Sequence, residues 1–461
     1  VTHLPVSLVG DGLPAPCVDG TERPYLSFDS AASTAALRAV ADAVVEFLPR
    51  YSSVHRGAGW KSQYATEAYE DARQAALRFA GRTGRDDVAI ICRNTTEAIN
   101  HLAYRLRFEP GDVILTTVAE HHANLLPWGR VGATRRFVEC GRDGTFSLAD
   151  VEAALDQSPT PRLLAITGAT NVCGWLPPID DIVATAHARG VPVVVDAAQL
   201  AAHRPMPRDA DYLAWSGHKM YAPFGAGILV GPRATFAEGD PFLAGGGAVD
   251  LVDLDEVMWT EPPEREEAGS PNVVGAVALA AAIGELESIS WDAIVEHERE
   301  VATRLRRGLA AIDGVRLLGP DLDVDTLAVA PFVVDGIPHP LVAARLSAEY
   351  AIGVRHGCFC AHPYLIRLLG LSRAEIERYR RDVIAGDRSA IPGAVRASAG
   401  LSATVEDVDR LLAAVAEIAA GRPAPVEYRQ EPRTGDYWPV TDAPWWSHGG
   451  ERTAGAPCAR G

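Results

Sequence analysis

Chemistry in this chain would begin at Ser216-Gly217-His218-Lys219, just after the strand-like run Asp211 to Trp215. A lysine at the mouth of an α/β sheet, beside a serine and a histidine, suits an enzyme that holds pyridoxal 5'-phosphate as a Schiff base. Alone, the tetrapeptide reads equally well as a turn with a solvated lysine. Val191-Pro-Val-Val-Val195 shifts the balance, because so short an apolar run reads as a fully buried parallel strand. It ends in Asp196, followed by Ala197-Ala198-Gln199. A carboxylate at the C-terminal end of such a strand lies where open α/β sheets bind ligands. There it can pair with a pyridine nitrogen and keep it protonated.

Other residues fit the same chemistry. Asn94-Thr95-Thr96-Glu97 follows the strand-like Val88–Cys92 and opens a helix, whose free amides and dipole favour a phosphate. The same residues also read as an ordinary N-cap with Glu97 in the first turn. His121 and His122 follow Glu120, with no third residue spaced to complete a metal site, so no metal is expected. Asn171 ends its own strand facing the same crevice, though asparagine is also a common turn residue. An amino-acid substrate presents a carboxylate, and a bidentate arginine is its best partner.

In order along the chain stand Asp29-Ser-Ala-Ala-Ser33, Val54-His-Arg-Gly57, Thr95-Thr96-Glu97, Glu120-His-His-Ala-Asn124 with Pro127-Trp128, and Asn171-Val172. Asp196-Ala-Ala-Gln199, Ser216-Gly-His-Lys219, Gly245-Gly-Gly247, Glu267-Ala-Gly-Ser-Pro-Asn272, Arg355, Cys360 and Arg396-Ala-Ser398 follow. Over residues 25–420 this set resembles the fold type I pyridoxal-phosphate enzymes, and among them the class V aminotransferases and SufS-type cysteine desulfurases. The resemblance implies an α/β fold: a large domain with a mostly parallel seven-stranded sheet and a smaller α+β C-terminal domain. It implies that Lys219 carries the cofactor, that Thr95, Thr96, Ser216 and His218 meet its phosphate, and that Gln199 meets its phenolic oxygen. His121 would lie over the ring and take part in proton transfer. Arg396 would bind the substrate carboxylate, with Asn171 beside it and Arg355 as a second contact or a loop anchor. Ser270 and Arg56 match positions that reach the neighbouring subunit's site, which implies a homodimer with shared active sites.

Cys360 decides between reactions. In Gly357-Cys358-Phe359-Cys360-Ala361 it aligns with the desulfurase nucleophile, the thiolate that takes sulfur from L-cysteine and leaves alanine and an enzyme persulfide. A sulfur-acceptor protein would then be a partner. The Cys-Phe-Cys spacing looks more like the desulfurase domain of molybdenum-cofactor sulfurases, and residues 362–393 are longer than their SufS-type counterpart. These departures leave open a specialised class V enzyme, a C–S lyase, epimerase or aminotransferase, in which Cys360 only fills a loop.

Composition agrees with an enzyme of this kind. A formal charge of −17 disfavours nucleic acid and anionic membrane as partners. Seven scattered cysteines without a Cys-x-x-Cys pair, and no basic-then-apolar leader, point to a reduced cytoplasmic protein. The longest apolar stretch, around Val273 to Ile283, is too short to span a bilayer.

Periodicity predicts helices over Ala35–Phe47 and Thr66–Phe79, then strands at Val88–Cys92, Val113–Val118, Leu163–Thr167, Val191–Val195, Tyr212–Trp215 and Gly227–Val230. One long helical region from Val274 to Ile312 would carry the chain into the second domain. That domain should hold strands near Leu327–Val333, Ile352–Arg355 and Ala394–Ala399, with helices near Pro340–Tyr350 and Val405–Ala419. The expected divisions are a segment 1–30 packing on the small domain, a large domain 31–285, a small domain 286–422 and a Pro/aromatic-rich tail 423–461. Tyr428, Tyr437, Trp438, Trp445 and Trp446 make the tail too aromatic for a disordered linker, so it should pack on the body up to about Trp446. Residues 449–461 should be mobile.

Overall fold

The structure is a computed structural model that describes Leu4 and residues 6–441. Trp445, Trp446 and residues 449–461 lie outside the described residues.

Seven strands form the large sheet: β1 (Asp87–Cys92), β2 (Val113–Thr117), β3 (Thr134–Val138), β4 (Leu163–Thr167), β5 (Val193–Asp196), β6 (Tyr212–Ser216) and β7 (Gly227–Pro232). Their spatial order is β1-β7-β6-β5-β4-β2-β3, with β7 antiparallel to both neighbours and the other pairings parallel. Alternation explains why β4 to β6 are buried end to end. Val193, Val195, Leu213 and Trp215 join one hydrophobic core, whereas Val194, Tyr212 and Ala214 join another on the opposite face. A sheet covered on both faces needs apolar side chains at every position, so the strands read as continuous apolar runs. Helix Val273–Ser288 packs into the first core and helix Thr95–Arg105 into the second. This is the α/β fold type I architecture.

β3 was not predicted. Its sequence Thr-Arg-Arg-Phe-Val is half exposed, as suits an edge strand paired only with β2. The expected single helical region is two helices, Val273–Ser288 and Trp291–Ala310, bent by 87°. Ile289 and Ser290 between them adopt extended backbone, which ends one helix and starts the next on the second domain. The second predicted helix begins earlier, at Trp60.

In the smaller sheet the order is Val315–Leu317, Val329–Val334, Ala394–Ser398, Ile352–Gly357, Leu26–Phe28. Its last pairing is parallel and joins residues near the start of the chain to Ile352–Val354. Helices Trp291–Ala310, His339–Tyr350 and Val405–Ala419 bury Leu305, Leu346, Leu411 and Val415 against it.

The tail forms a hairpin, Tyr428–Gln430 with Tyr437–Pro439. It docks on the segment after the inserted helices His362–Leu369 and Arg373–Ile384. Gln430 Nε2 donates to the Ser389 carbonyl at 2.9 Å, and the Arg388 amide donates to the Pro432 carbonyl at 2.8 Å. Gly435 at the turn has φ +82°, and a Cβ there would stand 2.6 Å from the Arg388 carbonyl oxygen, so only glycine fits. Deleting residues from Glu427 onward breaks these bonds. The expected result is a melting temperature lower by about 2 °C or more; an unchanged one would show the hairpin to be an accessory.

Candidate active site

A cavity of about 640 Å³ lies between the C-terminal edge of the large sheet and the small domain. Five strands that run the same way each deliver one residue set to it: Thr95 and Thr96 after β1, His121 after β2, Asn171 after β4, Asp196 at the end of β5, and Ser216, His218 and Lys219 from β6. Side chains of different sequence neighbourhoods converge because parallel strands end at one edge.

Lys219 is half-buried, and desolvation pulls its ammonium down to about 8, with Arg396 pushing the same way and Asp196 and Cys360 opposing. Roughly a tenth of it is free amine at pH 7, far more than for a solvated lysine. Asp196 is also buried, which raises its carboxyl; the Ala198 amide, donating to Oδ1 at 3.0 Å, and the Lys219 charge oppose that rise. At the other end, Ser216 Oγ accepts from the Thr95 amide at 2.8 Å and lies 2.6 Å from Thr95 Oγ1. Asn94 caps the helix by accepting from the Glu97 amide at 3.0 Å, so the N-cap and a helix N-terminus facing the cavity coexist. Gly227 permits this, since a Cβ there would meet the Asn94 backbone at 2.5 Å. The cavity thus sets a buried carboxylate against hydroxyls at a helix N-terminus. That pattern suits a ligand with a cationic ring nitrogen and an anionic group.

His121 Nδ1 accepts from the Ala123 amide at 3.0 Å, which leaves its proton on Nε2. Burial, then the Lys219 charge, pull this imidazole down to about 3. His122 does not line the cavity; it stacks on His362 of the inserted helix, ring centroids 5.1 Å apart. Gln199 donates from Nε2 to the Ala31 carbonyl at 2.7 Å and keeps its second amide proton for another acceptor.

On the small-domain side, Arg396 is buried, donates to the Asn171 carbonyl at 2.8 Å and lies over the Phe359 ring at 5.0 Å. Its Nε and the Asn171 Oδ1 are buried without partners. The Cys360 loop is tightly held. Gly357, Phe359 and Cys360 have φ of +106°, +54° and +54°, a strained choice for the last two. Asn171 Nδ2 donates to the Phe359 carbonyl at 2.6 Å and the His122 amide to the Cys360 carbonyl at 2.7 Å. These bonds fix the backbone and leave the Cys360 side chain exposed at the cavity.

Ser270 and Arg56 are not in the cavity. Both are exposed, and Arg56 Nη2 donates to the Val249 carbonyl at 2.9 Å. Among the described residues, no group of three His, Cys, Asp or Glu side chains is disposed to hold a metal, and no single helix is long and apolar enough to cross a membrane.

Several site residues carried no assigned role in the sequence reading. Asp29 bridges Arg355 and Arg396, with Arg355 Nη2 at 3.0 Å and Arg396 Nη2 at 3.3 Å. Glu120 lies behind the cavity, buried and pushed up to about 8, bonded by Thr117, Asn124 and the Thr167 amide. His339, His356, Arg388, Thr434 and Gly435 complete the outer wall. For Asp29 and Glu120 the signal lies within the motifs Asp29-Ser-Ala-Ala-Ser33 and Glu120-His-His-Ala-Asn124; for the outer wall only the chain's tertiary path supplies it.

Residues 26–411 match the family model for class-V aminotransferases. A probable cysteine desulfurase of Vibrio cholerae is 34% identical over 403 residues, covering 85% of this chain and 93% of that protein. A cysteine desulfurase of Dickeya dadantii is 33% identical over 430 residues, covering 91% and 98%. The structure of a cysteine desulfurase from Thermococcus onnurineus superposes with a TM-score of 0.76 at 33% identity, covering 86% of this chain and 95% of that one.

Burial of neutral imidazoles makes the site sensitive to acid. His121 is pulled down to about 3 and His339 to about 4, against about 6.5 in an unfolded chain. Below pH 6.5 the unfolded state binds protons that the folded state refuses. Each histidine therefore contributes stability above pH 6.5 that is lost as pH falls toward its folded value. Urea denaturation of cofactor-free protein should show the midpoint falling from pH 7 to pH 5, less steeply in His121→Asn. Equal slopes in the two proteins would contradict this account.

Proposed function

Since the chain belongs to the class-V aminotransferase family, we propose that it is a pyridoxal-phosphate-dependent cysteine desulfurase that converts L-cysteine to alanine and a persulfide on Cys360. One observation carries this reading: Lys219, Asp196, His121, Arg396 and the strained Cys360 loop line one cavity.

The residues present fit the cofactor. A buried carboxylate, two hydroxyls at a helix N-terminus, and the unpartnered buried Asn171 Oδ1 and Arg396 Nε are a set of donors and acceptors that calls for a charged ligand. Lys219 would hold the aldehyde carbon, Asp196 the ring nitrogen, Gln199 the phenolic oxygen, and Thr95, Thr96, Ser216 and His218 the phosphate. When bound, pyridoxal phosphate supplies an electron sink for negative charge at the substrate α-carbon. Arg396 orients the substrate by its carboxylate. Lys219, its ammonium already lowered to about 8, moves the α-proton at little cost. His121 Nε2–H, neutral across the physiological range, is a hydrogen-bond donor beside it. Cys360 Sγ, as thiolate, attacks the substrate sulfur; the C–S bond breaks, an S–S bond forms, and the carbon takes up a proton to leave alanine. A sulfur-acceptor protein then collects the sulfur from an exposed thiol.

The reading extends to a homodimer in which Ser270 and Arg56 serve the neighbouring site. The hairpin Val249–Val252 with Val257–Trp259, next to Arg56, supports it, since Leu251, Leu254 and Met258 are left exposed. The scatter of free thiols supports a reduced, cytoplasmic setting.

A second reading rests on the outer wall. Thr434 and Gly435 come from beyond the family match and border the cavity, which favours a specialised class V enzyme acting on another amino acid.

One experiment separates the two. Borohydride should fix the cofactor to the peptide carrying Lys219, and Lys219→Ala should abolish that link. Incubation with L-cysteine should yield alanine and a persulfide, and Cys360→Ala should lower alanine release at least a hundredfold. Unimpaired turnover by Cys360→Ala would decide for the second reading, and a monomeric active enzyme in sedimentation would remove the shared-site dimer.

A further inference from the structure

Cys360 has a neighbour in the cavity lining: Cys358, two residues earlier in the chain. The two stand at the first and third positions of a tight turn. The Ala361 amide closes it by donating to the Cys358 carbonyl at 2.9 Å, and the central Phe359 and Cys360 both have φ of +54°. Two residues apart in such a turn, α-carbons stand roughly 5.5 Å from each other, within the span that a disulfide bridges. The turn is held closed. Asn171 Nδ2 donates to the Phe359 carbonyl, and the His122 amide donates to the Cys360 carbonyl. Burial divides the two thiols. Cys360 is exposed, and near enough to Lys219 and Arg396 for both cations to feel its charge. Cys358 is half-buried and packs against the core of the large domain. The outer thiol is placed for substrate or a partner protein, and the inner one for its neighbour.

We propose that Cys358 is a resolving thiol: it attacks a persulfide on Cys360 and releases the outer sulfur as hydrosulfide when no acceptor has collected it. This rests on the desulfurase reading and adds to it a second thiol and a second product. The Cys358 thiol gives up its proton, and its sulfur bonds to Cys360 Sγ. The bond from Cys360 Sγ to the outer sulfur breaks, and that sulfur leaves with the electron pair as hydrosulfide. The Cys358 sulfur is oxidised and the departing sulfur reduced, so the step needs no outside oxidant. A disulfide closed across so short a turn is strained and therefore labile. A low-molecular-weight dithiol returns both cysteines to thiols and is itself oxidised to a disulfide.

The test is a single turnover of the holoenzyme with one equivalent of L-cysteine per site, without acceptor protein or added reductant. Alanine and hydrosulfide are measured, and the peptide carrying both cysteines is mapped by mass after acid quench and alkylation. The wild type should release the two products in equal amounts and leave a disulfide between Cys358 and Cys360. In Cys358→Ser the ratio of hydrosulfide to alanine should fall roughly tenfold, with the persulfide kept on Cys360. A wild-type enzyme that keeps its persulfide, or an unchanged ratio in Cys358→Ser, overturns the proposal. The wild-type result decides by itself should the variant fail to fold. If the wild type forms no alanine, the desulfurase reading fails, and the thiol pair is judged by equilibrating the holoenzyme in a glutathione redox buffer. A Cys358–Cys360 disulfide there upholds the pair; a mixed disulfide with glutathione on Cys360 alone overturns it.

Discussion

A buried carboxylate and a half-buried ammonium at one edge of a sheet impose the strongest constraint on this molecule. Asp196 is removed from water and Lys219 partly so, and an isolated buried charge would cost several kcal/mol. Neither strand can end there unless the surroundings compensate. The Ala198 amide, the opposing charge and the polar lining do so, and the sheet beneath is apolar on both faces. The same burial that strains the pair gives the lysine its lowered proton affinity. Stability and reactivity here are two readings of one desolvation.

The small domain answers with charge of its own. It carries Arg396 and Arg355 on adjacent strands, and the strained loop that presents Cys360 follows directly from the second of these. Bonds from Asn171 and the His122 amide hold that loop to the large domain. The cavity is therefore a joint between two hydrophobic cores, and the polar groups meet only where both are in place.

Much of this was legible from residue order. Val193–Asp196 and Leu163–Thr167 read as buried strands because both faces are covered, and Asp196 and Lys219 stood out because charges rarely close such runs. The edge strand Thr134–Val138 did not, since one solvated side erases the apolar pattern. The break at Ile289 was invisible because helical periodicity continues on either side of a bend. Asp29 opens a motif but its role is not legible there, as its two partners lie more than three hundred residues away. Tertiary path, not local propensity, creates that cluster, and also the outer wall from Arg388, Thr434 and Gly435.

The parallel pairing of Leu26–Phe28 with Ile352–Val354 bears on how the protein is made. An early strand must wait for its partner while the intervening chain is translated, roughly twenty seconds to a minute at ordinary elongation rates. During that wait its backbone groups are unpaired, and the large-domain core can consolidate without it. The anion that balances the arginine pair sits at the end of this strand, so that charge cluster is assembled only after both arginines have been made. A nascent chain with its large sheet already formed is thus still without a balanced arginine pair until residues 352–396 have been made.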